Sequence, residues 1–528
     1  MGGERSGVGP ALVGSGPSRA DRCRTATSGQ GTHATLSSQA LILFGASGDL
    51  AARKVIPALY TLACRDLLPP AFAVVGYGRT AWDDEAFRGH ARRAVERSSG
   101  HVDERAWNSL SEALHYVSGP VGVAHAFSSL RARLDELQHR LGRLAPLFYC
   151  ATPPSTFPAI VSGLAESRLN EGGRIIIEKP FGSDGADSDR LNGLVREVFD
   201  ESNIFRIDHY LGKEMVQNIL LYRFANAMFE RTWNREAIDH VQITAAESIG
   251  VEGRASYYEE AGATKDVLQN HLLQVLSLVA MEAPRSLDPD AIRDAKMKVL
   301  RAVRPFEPAE VVKGQYLAGD VGGGPVPGYR DEAGVDPASR IETFVAARAW
   351  IDDPRWAGVP FMLRTGKRMA RQATEITIVF RETSNHLFEG LPAPAAGTNH
   401  LHISIQPDQQ VSFALRAKQT GMGFNARPVH MQIPHEDASG GAGGGYERLL
   451  HDAMAGDHTL FPRGDEVRRS WEIVAPILET EVPVLPYPAG TWGPGAADRL
   501  IHPRRWHLRD PRRDNPFEDA PSVAGTAA

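Results

Sequence analysis

The stretch ALILFGASGDLA at residues 40–51, continued by an amphipathic run through Leu67, is the feature that most narrows the fold. A short apolar run stopped by a glycine turn reads as a strand buried on both faces. Strand, glycine turn and helix in that order put backbone N–H groups and the positive end of the helix dipole where a pyrophosphate can sit. The spacing here is G-x-x-G-x-x-A, and Ala51 in third place still permits close helix–strand packing. Taken alone, the same pattern also describes a tight turn that holds no ligand.

Further strand-like runs at residues 72–76, 147–150 and 174–178 alternate with helical stretches. That alternation predicts an N-terminal Rossmann-like, doubly wound domain with a parallel sheet. Beyond residue 208 the pattern changes. Residues 239–245, 374–380, 400–405, 411–418 and 428–433 are strand-like, several with period-2 alternation, and turns such as 397–399 separate them. This predicts a larger α+β domain with a mostly antiparallel sheet, flanked by helices at 264–281 and 446–461. A glycine-rich tip at 439–445 and a Gly/Pro loop at 322–328 read as mobile surface connections. The fold class is therefore α/β plus α+β. The expected organisation is a tail at 1–37, a coenzyme-binding domain at 38–208, a second domain at 209–510 and a flexible tail at 511–528. Residues 1–37 hold eight glycines, five serines and no aromatic residue, too little apolar surface to offset ordering entropy. They read as a disordered tail or an over-extended translation start, with a targeting peptide as the other reading; the lack of a continuous apolar segment excludes a secretory signal.

Composition removes several functional classes. The 58 Lys+Arg against 64 Asp+Glu give a net charge of −6, which argues against a protein devoted to nucleic acid or a membrane surface. It does not bear on a small anionic ligand, which needs only a local group of cations. The longest apolar run, around residues 272–281, is far shorter than a membrane span. Cys23, Cys64 and Cys150 are far apart and form no C-x-x-C, so neither a disulfide framework nor a zinc site is expected, and a reducing, cytoplasmic setting fits. His400 and His402 share a strand face by alternation but have no third ligand nearby; they read as sheet-surface residues, and no metal is expected.

Four segments carry chemistry. The second strand ends in Gly76-Tyr77-Gly78-Arg79-Thr80, with no carboxylate to hold a ribose 2′-hydroxyl; a cation there suits a 2′-phosphate, hence NADP, while a solvated arginine is the plain alternative. RIIIEKPFG (174–182) places Lys179 at a strand end, held by the junction with Pro180. RIDHYLGKE (206–214) gathers His209, Tyr210 and Lys213, three side chains able to bind a phosphate. DVLQNHLLQ (266–274) sets His271 among leucines, so it is either a core histidine or, given a carboxylate partner such as Asp208, a general base.

GASGDLAARK, EKPFG, RIDHYLGKE, DVLQNHLLQVL, GVPFMLRTGK and YERLLHDAMAGDHTLF occur in this order. Together, from about residue 40 to about residue 508, they resemble the glucose-6-phosphate dehydrogenase family; RIDHYLGKE is the most specific of them. The resemblance implies oxidation of glucose 6-phosphate at C1 to 6-phosphoglucono-δ-lactone with hydride transfer to NADP+, the first step of the oxidative pentose phosphate pathway. It implies His271 as general base, oriented by Asp208. His209, Tyr210 and Lys213 would hold the substrate phosphate, Glu247 and Asp266 would accept hydrogen bonds from sugar hydroxyls, and Lys367 would face the substrate. Lys179 would sit between sugar and nicotinamide. Gly45, Ser47, Gly48 and Leu50 match the family's phosphate loop, Arg79 its 2′-phosphate contact and Lys54 a position between coenzyme and substrate. A homodimer or homotetramer, formed through the antiparallel sheet, is also implied.

Two departures stand out. Many members carry a second lysine five residues after that of RTGK, where this chain has Gln372 beside Arg371. Some eukaryotic members bind a second, structural NADP; Trp492 and several late arginines are present here but do not establish that site. The rivals are an oxidoreductase acting on another sugar and a silent homologue that binds without turnover. The phosphate-type residues speak against a neutral sugar, and the presence of both His271 and Asp208 speaks against the silent homologue.

Overall fold

A computed structural model describes residues 36–121, 127–382, 398–422, 426–434 and 445–508. Nearly all of both expected tails lies outside the described residues, as do all but Gly445 of the 439–445 tip and Gly397 of the 397–399 turn.

Six parallel strands form the first sheet: Gln39–Phe44 (β1), Phe72–Gly78 (β2), Leu114–Ser118 (β3), Ala145–Cys150 (β4), Arg174–Ile177 (β5) and Ile204–Arg206 (β6). Their order is β3-β2-β1-β4-β5-β6, so the chain reverses direction across the sheet between β1 and β4. Every residue of β1 is buried, as expected for a strand covered by helices on both faces. Ligands of such sheets collect beyond the carboxyl ends of the strands, at that reversal.

The second sheet has nine strands: Ile238–Ala246 (β7), Val311–Leu317 (β8), Phe344–Ala349, Phe361–Gly366, Ala373–Phe380, His400–Gln406, Gln410–Lys418, Ala426–Pro434 and Val484–Pro488. It is mostly antiparallel, but Phe361–Gly366 runs parallel to β7 and Val484–Pro488 parallel to β8. The sequence pattern missed four of these strands, β8, Phe344–Ala349, Phe361–Gly366 and Val484–Pro488. The middle two are buried almost throughout, which removes the alternation that marks a strand with one wet face. Residues 322–328, expected as a mobile connection, carry the turn and second strand of a small hairpin pairing Gly319–Val321 with Gly324–Val326.

His400 and His402 correct the sequence reading. They do share a face, but both are buried. The segment at 504–507 covers that face: Arg504 Nε is 2.6 Å from Asp239, and the His507 N–H donates to Gln242 Oε1 at 2.8 Å. His402 Nε2 is 3.1 Å from Glu375 Oε2. Alternation tells which residues share a face, not whether a distant segment lies across it. Among the described residues, no helix is long and apolar enough to cross a membrane.

Candidate active site

The turn after β1 has the shape its glycines allow. Gly45 has φ +79°, and a Cβ there would lie 2.8 Å from the Ala151 carbonyl oxygen, so only glycine fits. Gly48 donates its N–H back to Gly45 O at 2.8 Å, and Leu50 leads into a π-helical turn, Ala51–Val55, with Lys54 exposed. Thr80 donates its hydroxyl to Ser47 at 3.0 Å, tying the turn to the end of β2, where Arg79 is exposed. A turn with no Cβ at Gly45 or Gly48, a helix start and an adjacent cation fit the phosphates of NADP.

β5 reaches the same sheet edge two strand spacings from β1, about 10 Å away. Glu178 and Lys179 follow directly on its last residue, Ile177, and the Lys179–Pro180 bond is cis. Lys179 Nζ donates to Asp266 O at 2.9 Å and to Asp266 Oδ1 at 3.1 Å, and the Tyr257 hydroxyl donates to the same carboxylate oxygen at 3.1 Å.

Asp266 and His271 are five residues apart, which on an α-helix would turn them about 140° from one another. The segment Thr264–Leu272 is π-helical instead, and i→i+5 bonding widens the turn so that residues five apart come onto one side. Glu342 holds its first turn by accepting the Thr264 N–H at 3.1 Å. His271 Nδ1 then meets Asp208 Oδ1 at 2.5 Å, with the side chains only 2% exposed. The backbone N–H of Tyr210 donates to the same Asp208 oxygen at 2.9 Å. With Asp208 as a carboxylate, Nδ1 must be the donor, leaving the Nε2 lone pair of His271 buried and without a partner. Asp208, His209 and His271 bring possible ligating atoms within 4.8 Å of one another, but Nδ1 of His271 is already engaged by the Asp208 carboxylate.

His209 and Tyr210 flank His271, with ring centroids 4.5 Å and 4.2 Å away. Lys213 Nζ lies 3.7 Å above the Tyr210 ring and donates to Gln406 Oε1 at 2.8 Å. Lys367 Nζ donates to Glu247 Oε2 at 2.5 Å.

Burial, aided by Lys179 and Lys213, pushes His271 and His209 well below the usual imidazole range against the opposing pull of Asp266 on the one and Asp208 on the other, which favours the neutral form of both. It raises Asp208 against the opposing pull of His209 and the Tyr210 N–H, and pushes Lys213 down to about 7. Burial also acts to raise Asp266, but Lys179 and Lys367 outweigh it and hold that carboxyl below its ordinary range. The arrangement is a neutral base, an orienting carboxylate and a group of donors able to take a multiply charged anion.

The proposed substrate residues therefore meet in one cluster, with Lys54 close enough to oppose the charge of Lys213. Gly45, Ser47, Gly48, Leu50 and Arg79 stand beside it along the sheet edge. Arg371 does not replace the cation missing at Gln372: it faces Glu375 at 3.6 Å and Trp492 at 5.5 Å. Sequence reasoning missed Gln406, Tyr257, Glu178 and Tyr446. Tyr446 and Glu178 stood inside quoted motifs, but nothing local marks a strand-end glutamine or a tyrosine in the first turn of a helix as part of a site.

Two family models match nearly all of the described chain: the NAD binding domain of glucose-6-phosphate dehydrogenase over residues 42–218 and the C-terminal domain over 220–507. Glucose-6-phosphate 1-dehydrogenase of Treponema pallidum is 44% identical over 494 residues, 90% of this chain and 96% of that protein. Glucose-6-phosphate 1-dehydrogenase 2 of Mycobacterium tuberculosis is 43% identical over 474 residues, 87% of this chain and 92% of that one. A solved glucose-6-phosphate dehydrogenase in complex with glucose 6-phosphate superposes with a TM-score of 0.82 at 34% identity, covering 90% of this chain and all of that one. The crystal structure of the Mycobacterium avium protein gives 0.78 at 36%, covering 89% of this chain and 98% of that one.

Proposed function

The chain belongs to the glucose-6-phosphate dehydrogenase family, and on that premise we propose that it oxidises glucose 6-phosphate at C1 to 6-phosphoglucono-δ-lactone, with NADP+ as coenzyme. The observation that carries the reading is the buried Asp208–His271 pair, whose unpartnered Nε2 lies among phosphate-type donors. His209, Tyr210 and Lys213, with Gln406 behind the lysine, take the 6-phosphate. Several charge-assisted bonds hold a dianion better than one, and its charge restores the proton that burial loosens from Lys213. Sugar hydroxyls enter the Lys179–Asp266 and Lys367–Glu247 pairs as donors to the carboxylates. His271 accepts the C1 hydroxyl proton at Nε2, and Asp208 holds the Nδ1–H and stabilises the imidazolium. Gly45, Ser47, Gly48, Leu50 and Arg79 would hold NADP+, which when bound supplies the hydride acceptor. Residues 38–208 are proposed as the coenzyme-binding unit and 209–510 as the substrate and oligomer unit, a division supported by the two sheets and the two family spans.

Purified protein with glucose 6-phosphate and either NADP+ or NAD+ produces reduced nicotinamide, read by absorbance; no turnover with either coenzyme overturns the proposal. Arg79→Ala raises the KM for NADP+ by about ten- to a hundred-fold, the scale of a lost hydrogen bond to a charged group. It leaves the KM for NAD+ nearly unchanged. Equal losses with both coenzymes would remove Arg79 from 2′-phosphate recognition.

A further inference from the structure

Glu178 is buried at the end of β5, beside Lys179, yet none of the steps above uses it. Its Oε1 accepts the Tyr149 hydroxyl at 2.6 Å. Its carboxylate also takes a hydrogen bond from Tyr446, the first residue of the helix Tyr446–Ala455. Burial pushes Glu178 up to about 7, with the two phenols and Lys179 pulling the other way. A carboxylate so placed is costly unless its donors are fixed.

Tyr446 is fixed from a second direction. Its neighbour Gly445 packs against Gly212 of RIDHYLGKE so closely that a Cβ on either glycine would lie 2.6 Å from the backbone of the other. The ring of Tyr446 lies nearly parallel to the His209 imidazole, at 16° and 6.3 Å between centroids. His209 in turn meets His271 edge to face at 4.5 Å. A continuous set of contacts thus joins the coenzyme-side sheet, through Tyr149, Glu178 and Tyr446, to the face of His209.

We infer that Glu178 is a positioning residue for the phosphate end of the site, acting through the Tyr446 hydroxyl to hold the His209 ring in place. It touches neither substrate nor reacting atoms. The inference rests on the assignment of His209 to the substrate phosphate.

Tyr446→Phe removes one hydroxyl and keeps the ring and its packing; Glu178→Gln keeps the shape and removes the charge. Each raises the KM for glucose 6-phosphate about ten-fold, as expected for a lost hydrogen bond to a charged group. Each weakens competitive inhibition by inorganic phosphate in parallel, with kcat and the KM for NADP+ changed less than about three-fold. The double variant is no worse than the poorer single one, because both remove the same link. An unchanged KM for glucose 6-phosphate, a loss confined to kcat or to NADP+, or additive losses would each overturn the inference while the wild-type enzyme stays active. An inactive wild type would instead overturn the functional reading beneath it.

Discussion

Replacing His271 with Asn lowers kcat with glucose 6-phosphate by about 10²–10⁴-fold at little change in KM, the scale of a lost general base. The geometry explains the size. Nε2 of His271 is a buried lone pair with no protein partner, and its other nitrogen is committed to Asp208 at 2.5 Å. An asparagine fills similar space but has no lone pair of comparable basicity to offer the C1 hydroxyl. The pH profile supplies a second readout. Catalysis requires neutral His271, and burial, together with the charge of Lys179, lowers its pKa. For the wild type, kcat/KM is therefore full above that lowered pKa and falls as the pH drops through it. The acid limb lies below the usual imidazole value of about 6.5. In His271→Asn this limb disappears. Near-normal turnover, or an unaltered acid limb, would take His271 out of the mechanism.

Asp208→Asn lowers kcat by about 10³–10⁴-fold, although Asp208 touches only His271 and the backbone of its own loop. The amide oxygen of an asparagine, held by the Tyr210 N–H, would still accept the Nδ1–H, but the negative charge that stabilises the imidazolium would be lost. Asp208 is thus a positioning residue, and the variant separates that role from a structural one. Removing the anion that favours the imidazolium moves the acid limb of kcat/KM further down, whereas loss of folded protein would scale the profile without moving it. Asp208→Glu, which keeps the carboxylate, recovers part of the activity. A profile that only shrinks, with no recovery by glutamate, would leave Asp208 a role in packing alone.

Much of this was legible because the informative segments are local. The β1 turn, EKP and RIDHYLGKE each bring their functional residues close together in sequence, and each has a periodicity or breaker that fixes its element. The contact between Asp208 and His271 spans 63 positions, and only the fold could show it. Gln406 was unreadable for a similar reason. It ends a strand 193 residues from Lys213, and a lone glutamine carries no pattern. The buried histidines at 400 and 402 failed differently: their own strand was read correctly, but the segment that covers them lies a hundred residues further on. Strands without a wet face, such as Phe361–Gly366, lost the alternation by which they would have been found.

The wide turn between Thr264 and Leu272 makes the site depend on counting as well as on residue identity. Ordinary winding at the present spacing, with every named side chain kept, would send the partner of Lys179 and the partner of Asp208 to different sides, and deleting one residue between the two would bring them back to one side. Copying Asp266 and His271 at their present spacing onto a regular helix of another scaffold would fail in the same way. Such a graft would have to bring the two residues one position closer together.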